Sequence, residues 1–312
     1  MSGVEMIETA APWWVTLSSS AIRTLPFGRY QVANALAKFS SGPFVARLPR
    51  ELGGASFVCD LSDSIAREVC FTGRYEPQET QIAARLLRDG MTVVDVGANW
   101  GYFTLTCAHL VGPRGRVIAL EPHPMLTSTL AANVRRNNLN HVEALAAAAG
   151  ASAGTRGFVA FAQDGGNSGL SRAASPTERP DFHGTTVALD DLLDERGRSS
   201  VDLTKIDIEG GEVDAIAGMT SGLAAHRYRF VLLECHPELI GRAGSTLERC
   251  LAPFRRAGYR GWRIDHSPAM HRRAAVSQVP LAELLSAVDT AALARDPWPH
   301  LLWVAPGETL PA

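Results

Sequence analysis

A chain of 312 residues, 46% of them hydrophobic, is long enough to bury one large α/β core with a small appendage. Its formal net charge is −2, its arginines are scattered, and only Lys38 and Lys205 are lysines, so nothing electrostatic points to a nucleic-acid partner. The five cysteines (59, 70, 107, 235, 250) are odd in number and lack Cys-x-x-Cys spacing, which argues against a disulfide framework and a structural zinc site. No run is long enough to span a membrane and no basic n-region precedes an apolar stretch, so a cytoplasmic protein is expected.

Residues 1–55 form the least regular part. Trp13, Trp14, Val15 and Leu17, then Ile22, Leu25, Val32, Leu36 and Phe39, are spaced loosely as in amphipathic helices. This predicts an N-terminal helical extension that packs on the core, caps a pocket or offers a homodimer surface. Residues 56–312 are expected to be one domain. Residues 56–61 look like a short strand and 63–69 like a short helix. Tyr75-Glu76-Pro77-Gln78-Glu79-Thr80 opens a helix with proline in its first turn, and Ile82, Leu86 and Leu87 carry it to a stop at Gly90. That helix would place Tyr75, Glu76 and Thr80 beside the turn that follows, and Glu79 would complement the helix dipole.

The turn is the centre of the sequence: Val93-Val94-Asp95-Val96-Gly97-Ala98-Asn99-Trp100-Gly101-Tyr102-Phe103. A β-branched run reads as a buried parallel strand, breaks at Gly97 and passes into an apolar helix. Gly97 would let the backbone approach a ligand, and Gly101 would allow close packing of helix on strand. Asp95 lies near the strand's carboxyl end, where open α/β sheets bind ligands. A dinucleotide fingerprint needs a further glycine where Asn99 stands, because pyrophosphate requires a second close backbone approach. The pattern therefore favours S-adenosylmethionine over NAD.

Residues 116–120 form a second strand ending in Glu121-Pro122. Glu121 stands 24 positions after Gly97 (121 − 97), close to the spacing of a carboxylate that grips ribose hydroxyls. A helix follows, ended by Asn137, Asn138 and Asn140. A third strand at 141–147 runs into small residues on which an adenine ring could lie, and 157–161 suits an extra strand. The glycine- and serine-rich stretch at 163–180 is expected to be a substrate loop. Residues 185–189 are strand-like, and Asp190 is placed to cap the helix after them.

Lys205-Ile206-Asp207-Ile208-Glu209-Gly210-Gly211 ends the next strand, with alternation putting Lys205, Asp207 and Glu209 on one side. Three ionisable residues at the end of a core strand are expensive to bury without purpose. The strand at 230–236 ends in Glu234-Cys235-His236, which makes His236 a candidate general base. A helix at 247–257, a strand at 259–265, a helix at 281–288 and a strand at 300–304 complete a Rossmann-like, seven-stranded, doubly wound α/β sheet.

Five segments in order, Tyr75-Glu76-Pro77, the 93–103 turn, Glu121-Pro122-x-Pro124, Lys205 to Gly210 and Leu233-Glu234-Cys235-His236, closely resemble the FkbM-type family of S-adenosylmethionine-dependent methyltransferases over residues 57–265. The resemblance implies the class I methyltransferase sheet with an antiparallel last strand, S-adenosylmethionine as cofactor, and O-methylation of a secondary metabolite, sugar or glycan. It implies that Asp95, Gly97, Asn99 and Gly101 line the methionine side, that Glu121 holds the ribose, and that Asp207, Glu209 and His236 face the methyl. Glu76, Thr80, Ala98, Tyr102 and Pro122 complete the expected cofactor contacts. Proton removal falls to His236 or Asp207, with Lys205 and Glu209 orienting them. No second and third oxygen ligand is spaced beside Asp207, so no metal is expected. An NAD-dependent oxidoreductase leaves Lys205 to Gly210 unexplained, a nucleic-acid methyltransferase would want a basic surface, and a non-catalytic binding module on this fold is the remaining alternative.

Overall fold

The computed structural model describes residues 7–25, 28–40, 42–160, 171–175, 177–289, 293 and 295–311. Half of the expected substrate loop at 163–180 falls outside them, at 163–170 and 176. The core is one eight-stranded sheet. In chain order its strands are β1 (Thr92–Val96), β2 (Arg116–Leu120), β3 (Val142–Leu145), β4 (Val201–Ile206), β5 (Tyr228–Glu234), β6 (Arg260–Ile264), β7 (Leu285–Ala287) and β8 (His300–Val304). They lie side by side as β7-β6-β8-β5-β4-β1-β2-β3. The run from β5 to β3 is parallel, and β8 enters antiparallel between β5 and β6. Apart from β7, this is the expected seven-stranded order with its antiparallel last strand. The difference is at 281–288, where helix was expected. Leu281–Leu284 makes one helical turn, and Leu285–Ala287 then hydrogen-bonds to the edge of β6.

Alternation sorts the core into two layers. Val94, Val96, Ile118, Leu120, Val231 and Trp303 face the helices Leu189–Glu195 and Leu247–Arg256. Val93, Val117, Leu203, Leu232 and Leu302 face the helices Pro77–Leu86 and Tyr102–Val111. All five cysteines are buried and unpaired. Ala188, not Asp190, stands at the N-cap of the helix Leu189–Glu195; the Asp190 carboxylate accepts from the Tyr228 hydroxyl at 2.8 Å and the Gly222 N–H at 2.9 Å, which ties its helix to β5 and to the helix Thr220–Ala224.

The N-terminal segment closes one side of the sheet's carboxyl edge. Helices Trp13–Thr24 and Ser64–Thr72 pack together, and a two-stranded sheet pairs Phe44–Arg47 with Ser56–Cys59 across position 55. The Ser56–Cys59 strand docks on the helix Pro124–Arg136 through two asparagines. Asn133 accepts from the Val58 N–H and donates to the Trp100 carbonyl, both at 2.8 Å, while Asn137 bonds both backbone groups of Ser56. Trp100 stacks on Phe57 with ring centroids 4.7 Å apart. On the other side, a four-stranded sheet of Ala147–Ala149, Phe182–Val187, Gly154–Ala160 and Ser171–Ala173 folds over the end of β2, where the sequence suggested only parts of it.

Candidate active site

Two cavities open along the carboxyl edge of β1, β2 and β4. The first, about 690 Å³ including its mouth, is lined by Leu120, Pro122, Leu126, Ala148, Ala149 and Phe158, with Glu121 at its base. The second, about 1250 Å³, is lined by Tyr75, Glu76, Asp95, Ala98, Tyr102 and Phe103 on one side and by Lys205, Glu234, His236 and Trp298 on the other. Gly97, Asn99, Asp207 and Glu209 border both.

The turn after β1 joins them. Gly97 has φ +86°, and a Cβ there would fall 1.9 Å from the Asp207 carbonyl oxygen. The glycine is therefore needed for the crossing of two chain segments as well as for ligand access. Gly101 has φ +104°, and its missing Cβ faces Leu130 of the helix Pro124–Arg136, so the close packing is between helices and not against a strand. Glu121 is buried at the end of β2, where its two carboxylate oxygens accept the N–H groups of Asn99 and His123, each at 2.9 Å. Burial raises its pKa to about 7 against the opposing pull of those N–H groups.

The second cavity's charges come from a row that the core alternation extends. Two residues beyond Val93, Leu203 and Leu232 on the same strand faces stand Asp95, Lys205 and Glu234; Lys205 pairs in register with Asp95, and Glu234 with His300. The Lys205 ammonium lies 2.7 Å from Asp207 Oδ2, 3.0 Å from Glu76 Oε2 and 5.4 Å from the centre of the Phe103 ring. Burial works against that cation, but Asp207, Glu76 and Asp95 more than compensate and hold it charged. One ammonium cannot neutralise three buried carboxylates. Burial lifts Glu76 to about 8 and raises Asp95, whose Oδ2 accepts the Thr104 hydroxyl at 2.5 Å. Glu76 occupies the N-cap position of its helix with a left-handed backbone at φ 42°, but its side chain makes no cap there and turns to Lys205. Glu79 stands in the first turn of its helix, as expected, and also accepts from His266 Nε2 at 2.6 Å and His300 Nδ1 at 3.0 Å, outside both cavities.

His236 is buried with both ring nitrogens against carboxylates. Nδ1 lies 2.7 Å from Glu212 Oε1, and Nε2 lies 3.4 Å from both Glu209 and Glu234. Burial disfavours its charge, yet the bonds to Glu212 and Glu234 and the field of Glu209 outweigh that and raise its pKa to about 11. Both ring nitrogens face carboxylates, an arrangement that favours the imidazolium over the neutral ring that its expected role as general base requires. Glu209 is pushed up to about 7 by burial, against the pull of His236.

Of the expected cofactor contacts, Thr80 and Gly101 line neither cavity. Thr80 donates to the Glu76 carbonyl at 3.1 Å and lies 3.5 Å from the Tyr102 hydroxyl, so it holds the wall from behind. Sequence reasoning passed over Glu212, Glu234, Phe158 and Trp298. Donor atoms of Asp207, Glu234 and His236 lie within 4.8 Å of one another, closer than the sequence spacing suggested. Lys205 and the neighbouring glutamates already engage these atoms.

The strand order, with β8 antiparallel beside β5 and a glycine turn after the central strand, is that of the class I methyltransferase sheet. Residues 95–260 match the model of the methyltransferase FkbM domain, so the chain belongs to the FkbM family of methyltransferases. It is 32% identical over 176 residues to the 31-O-demethyl-FK506 methyltransferase FkbM of Streptomyces tacrolimicus, covering 48% of this chain and 67% of that one. It is 29% identical over 155 residues to methyltransferase sdnD of Sordaria araneosa, covering 41% of this chain and 60% of that relative's length. A SAM-dependent O-methyltransferase of known structure from Thermotoga maritima aligns at 13% identity and a TM-score of 0.39, over 81% of this chain and 75% of that one. The cofactor is S-adenosylmethionine, and the first cavity suits its nucleoside: apolar walls for the adenine and a buried carboxylate for the ribose diol.

Proposed function

We propose that this chain transfers a methyl group from S-adenosylmethionine to a hydroxyl of a small acceptor, namely a secondary metabolite, sugar or glycan. The observation that carries the reading is the meeting of the two cavities at Gly97, Asn99, Asp207 and Glu209, one with an apolar wall over Glu121 and one strongly acidic. When bound, S-adenosylmethionine supplies an electrophilic methyl on a sulfonium. Glu121 would hold the ribose, while Glu234, kept ionised against burial by His236, His300 and Lys205, lends the second cavity the negative charge that suits a cationic ligand. Glu209 borders both cavities and has the proton affinity of a general base near neutral pH; it would take the acceptor's hydroxyl proton and release it to solvent. His236 keeps the Glu209 carboxylate in place, and Lys205 does the same for Asp207.

The name of the Streptomyces relative places methyl transfer on an oxygen of that protein's substrate, which supports oxygen as the acceptor atom here. The net charge of −2 supports a small acceptor over nucleic acid. Five unpaired buried cysteines suit a reducing, cytoplasmic setting, and no helix among the described residues is long and apolar enough to cross a membrane. Trp13 and Leu17 remain exposed on the N-terminal helix, the feature that favours a homodimer. Calorimetric titration with S-adenosylmethionine, S-adenosylhomocysteine and NAD tests the cofactor. Micromolar binding of the first two, lost in Glu121→Ala, is expected; binding of NAD alone would overturn the reading. A screen of sugar and macrocycle hydroxyls for S-adenosylhomocysteine release then tests the acceptor.

A further inference from the structure

Glu212 is fully buried in the first turn of the helix Glu212–Ala217, directly after the segment that carries Asp207 and Glu209. One of its oxygens, Oε1, gathers three donors from two different strand exits: the Gly210 N–H at 3.3 Å, the His236 N–H at 3.1 Å and His236 Nδ1 at 2.7 Å. Its other oxygen is buried with no hydrogen-bond partner among the described residues. Gly210 reaches this position through a left-handed turn (φ +82°) in which an added Cβ would sit 2.7 Å from Leu239 Cβ, so the exits of β4 and β5 are pressed together at that point. A buried carboxylate with only one oxygen satisfied is costly, and an apolar residue would fill the same space more cheaply. The shape of the core does not require it.

We propose that Glu212 is a positioning residue that staples the exit of β4 to the exit of β5 and holds His236 as a cation aimed at Glu209 and Glu234. This rests on the reading of Glu209 as the proton acceptor, but the staple itself does not depend on the acceptor's identity. The ring of His236 is faced by Glu209 from the β4 exit, by Glu212 from the helix after it, and by Glu234 from β5, with Asp207, Lys205 and His300 in the next layer. Two of the three carboxylates meet Nε2 at 3.4 Å, and only Glu212 makes a short contact. Removing its charge takes away the strongest single support for the imidazolium.

Histidine side-chain NMR on the full chain, labelled at its imidazole nitrogens and assigned with His236→Gln, tests this without any acceptor. In the wild-type protein His236 is expected to stay protonated at both nitrogens at neutral pH and to lose a proton only in the alkaline range. In Glu212→Gln, whose amide oxygen can still accept the two backbone N–H groups, its titration should move to lower pH by about one unit or more. Glu212→Asp should keep most of the wild-type titration. A wild-type His236 that titrates near the ordinary histidine value overturns the proposal whether or not the variants fold. So does a Glu212→Gln protein that is folded and titrates like wild type. Calorimetry with S-adenosylmethionine on the same samples separates failure of the staple from failure of the methyltransferase reading: a wild-type protein that binds the cofactor but has a neutral His236 loses only the former.

Discussion

The Asp207 carbonyl oxygen lies where a Cβ on residue 97 would stand, 1.9 Å away. The glycine turn after β1 and the exit of β4 therefore cross in contact, and that crossing sets the border shared by the two cavities. The backbone at 97 is left-handed, φ +86°, which costs a non-glycine residue about 1–2 kcal/mol. The clash adds about 1–3 kcal/mol of overpacking, because neither segment can withdraw without moving Asp207. Gly97→Ala is expected to lower stability in urea denaturation and to abolish cofactor binding in calorimetry. A folded Gly97→Ala protein with wild-type affinity would show that the crossing does not shape the pocket.

Lys205 is the ammonium among Glu76, Asp95 and Asp207, and Lys205→Met leaves those carboxylates buried without a counter-ion. Loss of one partner from a buried ionic cluster costs about 3–5 kcal/mol. The sign of its pH dependence follows from the acids. A carboxyl whose folded pKa is raised destabilises the fold above that pKa and ceases to do so as pH falls and the proton is taken up. Lys205→Met should thus be weakest at pH 8 and recover toward pH 5, as read from urea midpoints. A deficit constant over that range would mean that Glu76 and Asp207 find other neutralisation.

How much of this was legible in the sequence depends on how far apart the partners lie in the chain. The strand-turn-helix at 93–103 and the Lys205-Ile206-Asp207-Ile208-Glu209 run announce themselves, because apolar alternation is interrupted by charge within a few residues. Glu121 was found by its distance from Gly97. What sequence could not supply is which charges meet. Glu79, His266 and His300 come from three distant segments, and His236 looks like a base until Glu212 and Glu234 are seen on its ring. One signal was available: Phe230-x-Leu232-x-Glu234 repeats the alternation of Leu203-x-Lys205 and puts Glu234 in the same row. The 281–288 stretch departs from the expected helix because its four large apolar positions fit one helical turn as well as the edge strand that β6 recruits.

The Glu79 cluster predicts a particular stability profile. Burial lowers the pKa of His300, but its bond to Glu79 and the Glu234 field more than reverse that and raise it to about 9, against about 6.5 when unfolded. A raised histidine pKa stabilises fully below the unfolded value and loses that contribution as pH rises through the folded one. The difference is on the order of 3 kcal/mol, lost between about pH 6.5 and 9. Glu79 has the opposite sign: burial would raise it, yet His266 and His300 hold it well below the usual carboxylate range, so its support is lost only as pH falls below about 4. Melting temperatures should therefore decline from neutral to pH 9 in the wild type and more gently in His300→Gln. The imidazolium at His236 adds its own decline at still higher pH, so the contrast between the two proteins is the diagnostic quantity.

Glu209 carries the last prediction. Burial raises its carboxyl to about 7 and His236 at 3.4 Å pulls the other way, so at pH 6 most of the free enzyme holds it protonated and unable to accept a proton. With an acceptor in hand, kcat/KM should rise with pH to a plateau above about 7, since that ratio reports the ionisations of the free enzyme. A correctly placed general base contributes about 10²–10⁴-fold, so Glu209→Gln should lose that much in kcat while calorimetry shows little change in cofactor affinity. Asp207→Asn should fall less in rate and more in cofactor affinity, because Asp207 borders both cavities and its loss leaves Lys205 with Glu76 as its one remaining close ion pair, Asp95 lying farther off. Wild-type turnover in Glu209→Gln would return the proton to Asp207 or to solvent, and a profile flat from pH 6 to 8 would remove Glu209 from the reaction.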